Sequence, residues 1–297
     1  MITIKEALTK KEMKDYVMFS FELYKNNPYW IPPIIAEELE TFDKTKNPAL
    51  QTAEAHFYLA YKNNKIVGKI AAIINWEEVN LLGKRKARFG WFDAIDDIEV
   101  TKALLNKVEE LGRKHNMDHM EGPMGFSNLD KVGILSEGFD QLGNMITWYS
   151  LPYYITHFEQ LGFIKEKEYI ESDFSFNGIN PEPFQKASEL IKKRYELRSL
   201  NFTKTKDIMP YVDKMFDLFN ETYARLQSFV PINDIQKEYF KKKYIGFINP
   251  EYIKFILDKN DNMIAFAIVM PGFAQALKKA NGKLFPFGFY HLLQARK

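Results

Sequence analysis

The stretch Phe89-Gly90-Trp91-Phe92-Asp93-Ala94-Ile95-Asp96-Asp97-Ile98-Glu99-Val100-Thr101-Lys102-Ala103-Leu104-Leu105 is an apolar strand that runs into an acidic turn and then into a helix. Such a unit needs a sheet with a helix packed on its face, and it sets the helix N-terminus at the end of the strand. Where a corner of this kind docks a diphosphate, glycines let backbone N–H groups approach the anion. Here Asp96, Asp97 and Glu99 stand at the corner. Carboxylates repel a phosphate there, and they cap the helix and complement its dipole instead.

A chain of 297 residues with 46% hydrophobic content can bury substantial cores, and its length favours two domains. The 41 basic residues nearly balance the 39 acidic ones and are scattered among them, so no nucleic-acid partner is expected. The absence of cysteine excludes disulfides and thiol nucleophiles and fits a reducing compartment. The start, Met1-Ile2-Thr3-Ile4-Lys5-Glu6, lacks the apolar run of a signal peptide, and no segment reaches the roughly 20 apolar residues of a membrane span. The expected location is the cytoplasm, free or at the membrane surface.

Periodicity predicts a strand over 2–7, helices near 10–24 and 34–42, and a hairpin of strands 56–61 and 66–75 turning at Asn63-Asn64. A third long strand (88–95), a helix (99–115), a strand (119–123), a helix (151–161) capped by Gly162 and a closing strand (168–176) follow. The fold class is α/β, a mixed sheet with helices on both faces. A linking helix begins at Pro183 and the order restarts: strand 197–203, a long helix with Pro210 near its start, helix 235–244, and a hairpin of 252–258 and 263–270. After a basic segment, 274–283, the second copy has no counterpart of 89–105. Domains are expected at 1–177 and 197–297, the second incomplete, joined by a linker helix over 178–196.

This order, with Asn27-Pro28-Tyr29-Trp30-Ile31-Pro32-Pro33, Lys46-Asn47-Pro48-Ala49, Gly68 to Asn75, Phe89-Gly90-Trp91-Phe92, Glu121-Gly122-Pro123, Glu137-Gly138-Phe139-Asp140 and Pro152-Tyr153-Tyr154, resembles the GNAT superfamily of N-acyltransferases. The resemblance is to a tandem pair of such domains, within a group of bacterial proteins that includes ceramide-synthase-type acyltransferases. It implies transfer of an acyl group from acetyl-CoA or a longer acyl-CoA to a primary amine, of a small molecule or a lipid, with no metal. Aminoacyl transfer in peptidoglycan assembly is the alternative among tandem GNAT proteins. In GNAT enzymes a loop of the Q/R-x-x-G-x-G/A kind holds the diphosphate. Laid on that pattern, Asp96 stands at the leading Arg or Gln, and Asp97, Glu99 and Thr101 stand at glycine-type positions. Phe158 replaces the usual tyrosine. A non-catalytic protein that keeps the fold for binding is therefore the rival reading.

Under the enzyme reading the second domain supplies the candidate catalytic groups, Glu221 as general base and Tyr223 as proton donor to the thiolate. A solvated helix face and ordinary aromatic packing explain the same two residues. Tyr290 is a further tyrosine of that kind. Candidate substrate-binding residues are Ser127 and Asn128 in a Gly-bounded loop, and Tyr153 and Tyr154 after Pro152. A self-bonded turn and a hydrophobic staple are their plain alternatives. His115 and His119 have metal-ligand spacing, yet Asn116 ends the helix between them and no third ligand is near. An incomplete second sheet would leave an open edge, which predicts a homodimer.

Overall fold

The computed structural model describes all residues except 128, 227, 228, 247 and 297. Its elements run β1 (Ile2–Glu6), α1 (Lys10–Leu23), α2 (Ile35–Thr41), α3 (Ala49–Thr52), β2 (Ala53–Lys62), β3 (Lys65–Asn75), α4 (Trp76–Leu82), β4 (Lys86–Ala94), α5 (Ile98–Lys114), β5 (His119–Glu121) and α6 (Tyr153–Gln160). There follow α7 (Glu182–Tyr195), β6 (Arg198–Asn201), α8 (Thr205–Tyr223), α9 (Asp234–Phe240), β7 (Ile253–Leu257), β8 (Met263–Ile268), α10 (Ala274–Ala280) and α11 (Gly288–Ala295). The chain forms two compact units, one of Met1–Phe163, Gln227–Val230 and Pro271–Lys297, the other of Ile164–Leu226 and Pro231–Met270.

The first unit holds a mixed sheet in the order β1-β2-β3-β4-β5, antiparallel except for the parallel pair β4 and β5. Asn63 and Asn64, both at positive φ, close the β2–β3 hairpin as their residue type predicts. Thr9 and Glu12 form a capping box that starts α1. The sheet is covered on both sides. Val100, Leu104, Val108 and Leu111 recur at helical spacing along α5 and pack with Ile70, Ala72 and Ile74 of β3. The alternate residues Ala71 and Ile73 pack with Tyr16 and Val17 of α1. At Gly68 an added Cβ would lie 2.8 Å from Leu104 Cδ1, so glycine sets how closely α5 approaches β3.

The second unit builds an antiparallel sheet β6-β7-β8 whose hairpin turns at Asp261, φ +63°. Phe202, Ile208, Val212, Met215, Phe216, Ile253 and Phe255 form its core.

Four expectations change. Residues 168–176 are not a strand: they pair with no described strand, and Tyr169, Ile170, Phe174 and Phe176 are exposed. Alternation makes a strand only where a sheet edge receives its backbone groups. Residues 274–283, read only as a basic segment, contain α10. Residues 271–297, assigned to the second domain, pack within the first unit. There Gly282, at φ +78°, accepts a hydrogen bond from Ile35 N at 2.9 Å, and Lys278 donates to the carbonyl of Pro28. The first unit also ends earlier, at Phe163 rather than 177.

Candidate functional site

The chemistry of the first unit gathers along β4. Strands β4 and β5 pair only through Lys86, Ala87 and Arg88, so β4 runs on beyond Phe89 without β5 beside it. On its other side the register with β3 slips: Ala71 faces Gly90 and Lys69 faces Asp93, which leaves Trp91 and Phe92 both opposite Ile70. This is a bulge, and Trp91 sits in it at φ +46°, a left-handed value unusual for a bulky side chain. Helix α6 occupies the open edge. Tyr153 Oη donates to Ala94 O at 2.7 Å, and Ala94 N donates to Tyr154 Oη at 2.9 Å.

The bulge turns Asp93 onto the α1 face of the sheet. Its Oδ2 accepts from Ser20 Oγ at 2.6 Å, its Oδ1 accepts from Tyr24 Oη at 2.8 Å and from Tyr154 Oη at 3.3 Å, and Lys69 Nζ lies 3.5 Å from Oδ2. Asp93 is 9% exposed and Lys69 5%. A carboxylate so buried needs this set of donors. Burial first, and the Asp93 charge second, push the Tyr24 and Tyr154 hydroxyls well above the usual phenol range, so both stay protonated donors. Next to Lys69, whose ammonium lies 5.0 Å over its ring, Tyr16 is fully buried, and its hydroxyl has no hydrogen-bond partner among the described residues.

A loop after β5 reaches the same neighbourhood. Met124 and Val132 form an isolated bridge, and Gly133 N donates to Pro123 O at 2.7 Å. The carbonyls of Gly125 and Phe126 are held from below: Arg88 Nη1 donates to Gly125 O at 3.1 Å, and Asn75 Nδ2 donates to Phe126 O at 3.0 Å. Arg88 is fixed by Glu78 of α4, Nε to Oε2 at 2.8 Å, and both are buried. Lys86 Nζ joins them, 3.0 Å from Glu78 Oε1 in an ion pair rather than an aligned hydrogen bond. In the stem of the loop, where Gly125 N donates to its carbonyl at 3.3 Å, stands Lys131, its ammonium pushed down by burial, with Glu38 and Asp93 pulling the other way and Lys69 adding to the depression.

The acidic corner before α5 is filled by its own residues. Asp97 is the N-cap and accepts from Glu99 N at 3.1 Å, as the sequence predicts. Lys62 Nζ bonds Asp97 Oδ2 at 2.7 Å, and this contact chiefly holds the Asp97 carboxyl below its usual range. Asp96 Oδ1 lies 3.2 Å from His157 Nε2 and accepts its hydrogen bond when that ring nitrogen carries the proton.

Of the residues singled out by sequence, Tyr153 and Tyr154 come together at β4, with their hydroxyls spent on Ala94 and Asp93. Ser127 belongs to a turn closed by Asp130, Ser127 N to Oδ2 at 2.8 Å. Asn128 lies outside the described residues. Glu221 is exposed on α8 in the other unit, and Tyr223, 41% exposed, stacks on Phe219 at 4.2 Å. Phe158 packs against Phe89 and Phe92, while Tyr154, one helical turn earlier on the same face, carries a hydroxyl to the bulge. Sequence reading missed Tyr16, Ser20, Tyr24, Lys69, Asp93 and Lys131. A signal was present for two of them: Lys69 and Asp93 interrupt apolar strand runs, and a charge there needs a buried partner.

No family model matches the chain. It is similar to Protein YghO of Escherichia coli K12, 27% identical over 98% of this chain and 73% of that protein. It is also similar to the bacterial ceramide synthase of Caulobacter vibrioides, 25% identical over 96% of this chain and 74% of that protein. Among solved structures, a tandem GNAT protein from the clavulanic acid biosynthesis pathway aligns over 90% of this chain and 73% of its own, at 12% identity and a TM-score of 0.47. No helix among the described residues is long and apolar enough to cross a membrane.

Proposed function

We propose that the chain is an acyl-CoA-dependent N-acyltransferase acting on a primary amine. The reading is carried by Asp93, a buried carboxylate at a strand bulge that collects three hydroxyls and a lysine. In the reaction the neutral amine attacks the thioester carbonyl. The C–N bond forms, the C–S bond breaks, one proton leaves the nitrogen and one reaches the thiolate. In this reading Asp93, through Ser20 or Tyr24, takes the first proton, and Tyr154 gives the second. The Caulobacter relative's name supports a lipid amine as acceptor. Glu221 and Tyr223 remain candidates for a centre in the other unit.

A non-catalytic binding protein is the second reading. It is favoured by the Asp97 and Lys62 contacts that fill the α5 corner, and by the tyrosine hydroxyls that occupy the Ala94 edge. The deciding assay follows thiol release from acetyl-CoA and palmitoyl-CoA in the presence of small amines and a long-chain amino alcohol. Amine-dependent release that falls at least about 100-fold in Asp93→Asn supports the enzyme. No release with any pair, together with no heat on titrating either thioester, favours the binding protein.

A further inference from the structure

We infer that the outward face of residues 283–296, a cluster of aromatic side chains edged by lysines and an arginine, docks the protein on an anionic membrane surface.

Charge sets this segment apart. The chain's last acidic residue is Asp261, so all 39 acidic residues precede a segment, 271–297, that holds Lys278, Lys279, Lys283, Arg296 and Lys297. Lys278 is spent on the carbonyl of Pro28. Lys279 and Lys283 are exposed and, like Arg296, form no ion pair among the described residues. Beside these cations stand the apolar groups. Phe285 and Phe287 are 76% and 73% exposed, and Phe289, Tyr290 and Leu293 of α11 lie between 41% and 52%. Together they show water on the order of 500 Å² of largely apolar side chain, the size at which a surface patch is often functional.

The face is built by the fold. Phe289 N donates to Leu284 O at 2.7 Å and Tyr290 N to Phe287 O at 3.1 Å, which closes the turn into α11. An added Cβ at Gly288 would lie 1.8 Å from Lys283 O and 3.1 Å from Ala280 Cβ, so this glycine lets α11 close on α10. It is also the one buried residue of α11. The Phe285 and Phe289 rings meet at 5.7 Å, and Leu293 follows one helical turn later, so the three form a strip with Arg296 next along it.

Aromatic rings and leucine gain by entering the boundary between headgroups and acyl chains, while the long stems of Lys279 and Lys283 carry their ammonium groups to lipid phosphates beside them. Apolar surface alone suits many partners, and the charge selects among them. A second copy docked through the same face would bring two sets of unpaired cations together without a carboxylate between them. An anionic bilayer satisfies both the rings and the cations. The attachment is at the surface, in keeping with the lack of a membrane-crossing helix among the described residues. It does not rest on the transferase reading, which soluble substrates test separately.

The test is co-sedimentation of the full chain with vesicles of phosphatidylcholine alone and of phosphatidylcholine with about 30% phosphatidylglycerol. Binding to the anionic vesicles should be at least about tenfold stronger than to the neutral ones and should fall several-fold between about 0.1 and 0.5 M salt. The double variant Phe285→Ser with Phe287→Ser should weaken it about tenfold or more, and Lys279→Gln with Lys283→Gln should weaken it several-fold. All four side chains are exposed, so both variants should melt with the parent, and either decides the matter if the other fails to fold. No sedimentation with anionic vesicles at about 1 mM lipid and 0.1 M salt, equal binding to neutral vesicles, or unchanged binding in either variant overturns the inference. A dimer in light scattering that is lost in Phe285→Ser with Phe287→Ser, without vesicle binding, gives the face to a second copy and overturns it as well.

Discussion

Replacing Asp93 by Asn keeps the shape of the side chain and removes the charge around which the β4 cluster is arranged. Two short hydrogen bonds from Ser20 and Tyr24, at 2.6 and 2.8 Å, become neutral ones, each losing about 1 kcal/mol. The larger effect is on Lys69, 5% exposed and left without a counter-ion, a situation that costs about 3–5 kcal/mol when a buried pair is broken. The two contributions overlap, since Lys69 can lose its proton, and the expected total is about 4 kcal/mol. For a unit of this size that lowers the melting point by roughly 8–16 °C. The assay is selective because Trp30, Trp76, Trp91 and Trp148 all lie in the first unit, so tryptophan fluorescence follows its unfolding alone. The double variant Asp93→Asn with Lys69→Met should recover at least about 2 kcal/mol of the loss, a coupling only directly interacting groups show. A loss below about 1 kcal/mol in Asp93→Asn, or strict additivity in the double variant, would refute the account of a charge-paired cluster.

Gly90→Ala should destabilise the first unit by more than about 3 kcal/mol or displace the 124–133 loop, because the added Cβ would sit 2.3 Å from Met124 O; urea unfolding and protease nicking of that loop report it. Tyr153→Phe leaves Ala94 O with only the longer 3.3 Å bond from Tyr154 Oη and should cost about 1 kcal/mol, read in the same unfolding experiment. Asp97→Asn should cost about 1 kcal/mol at neutral pH by weakening the cap and losing the Lys62 contact. The sign with pH follows from the lowered carboxyl: its contribution is complete above the unfolded-state value of about 4 and fades as pH falls through the lower folded-state value. The parent and Asp97→Asn should therefore converge in stability on acidification, and a gap that widens instead would refute the Lys62 pairing.

Much of the first unit was legible in the sequence because its signals are local. The Asn63-Asn64 turn, the Asp97 cap and the helical spacing of Val100, Leu104, Val108 and Leu111 each act within a few residues. The site was legible only in part. Tyr153 and Tyr154 stood out by position, yet nothing near them in sequence says that their hydroxyls meet Ala94 and Asp93, some 60 residues earlier. Asp93 and Lys69 interrupt apolar strand runs, but that they meet each other is settled by the β4 bulge, and a bulge comes from a slip between two strands rather than from either strand's composition. Residues 168–176 failed in the opposite way. Their alternation is genuine, but whether a strand forms depends on an edge elsewhere.

The docking of residues 271–296 onto the first unit, through Gly282 to Ile35 and Lys278 to Pro28, makes that unit discontinuous in sequence: the residues of the second all fall between 163 and 271. During synthesis the sheet of the amino-terminal half leaves the ribosome first, and at about 5–20 residues per second it waits some 5–20 s for the piece that covers Phe21 and Ile35. Over that interval the nascent sheet stands with an uncovered greasy shoulder, so yield in the cell should depend on translation speed and on holdase chaperones more than equilibrium stability alone would suggest.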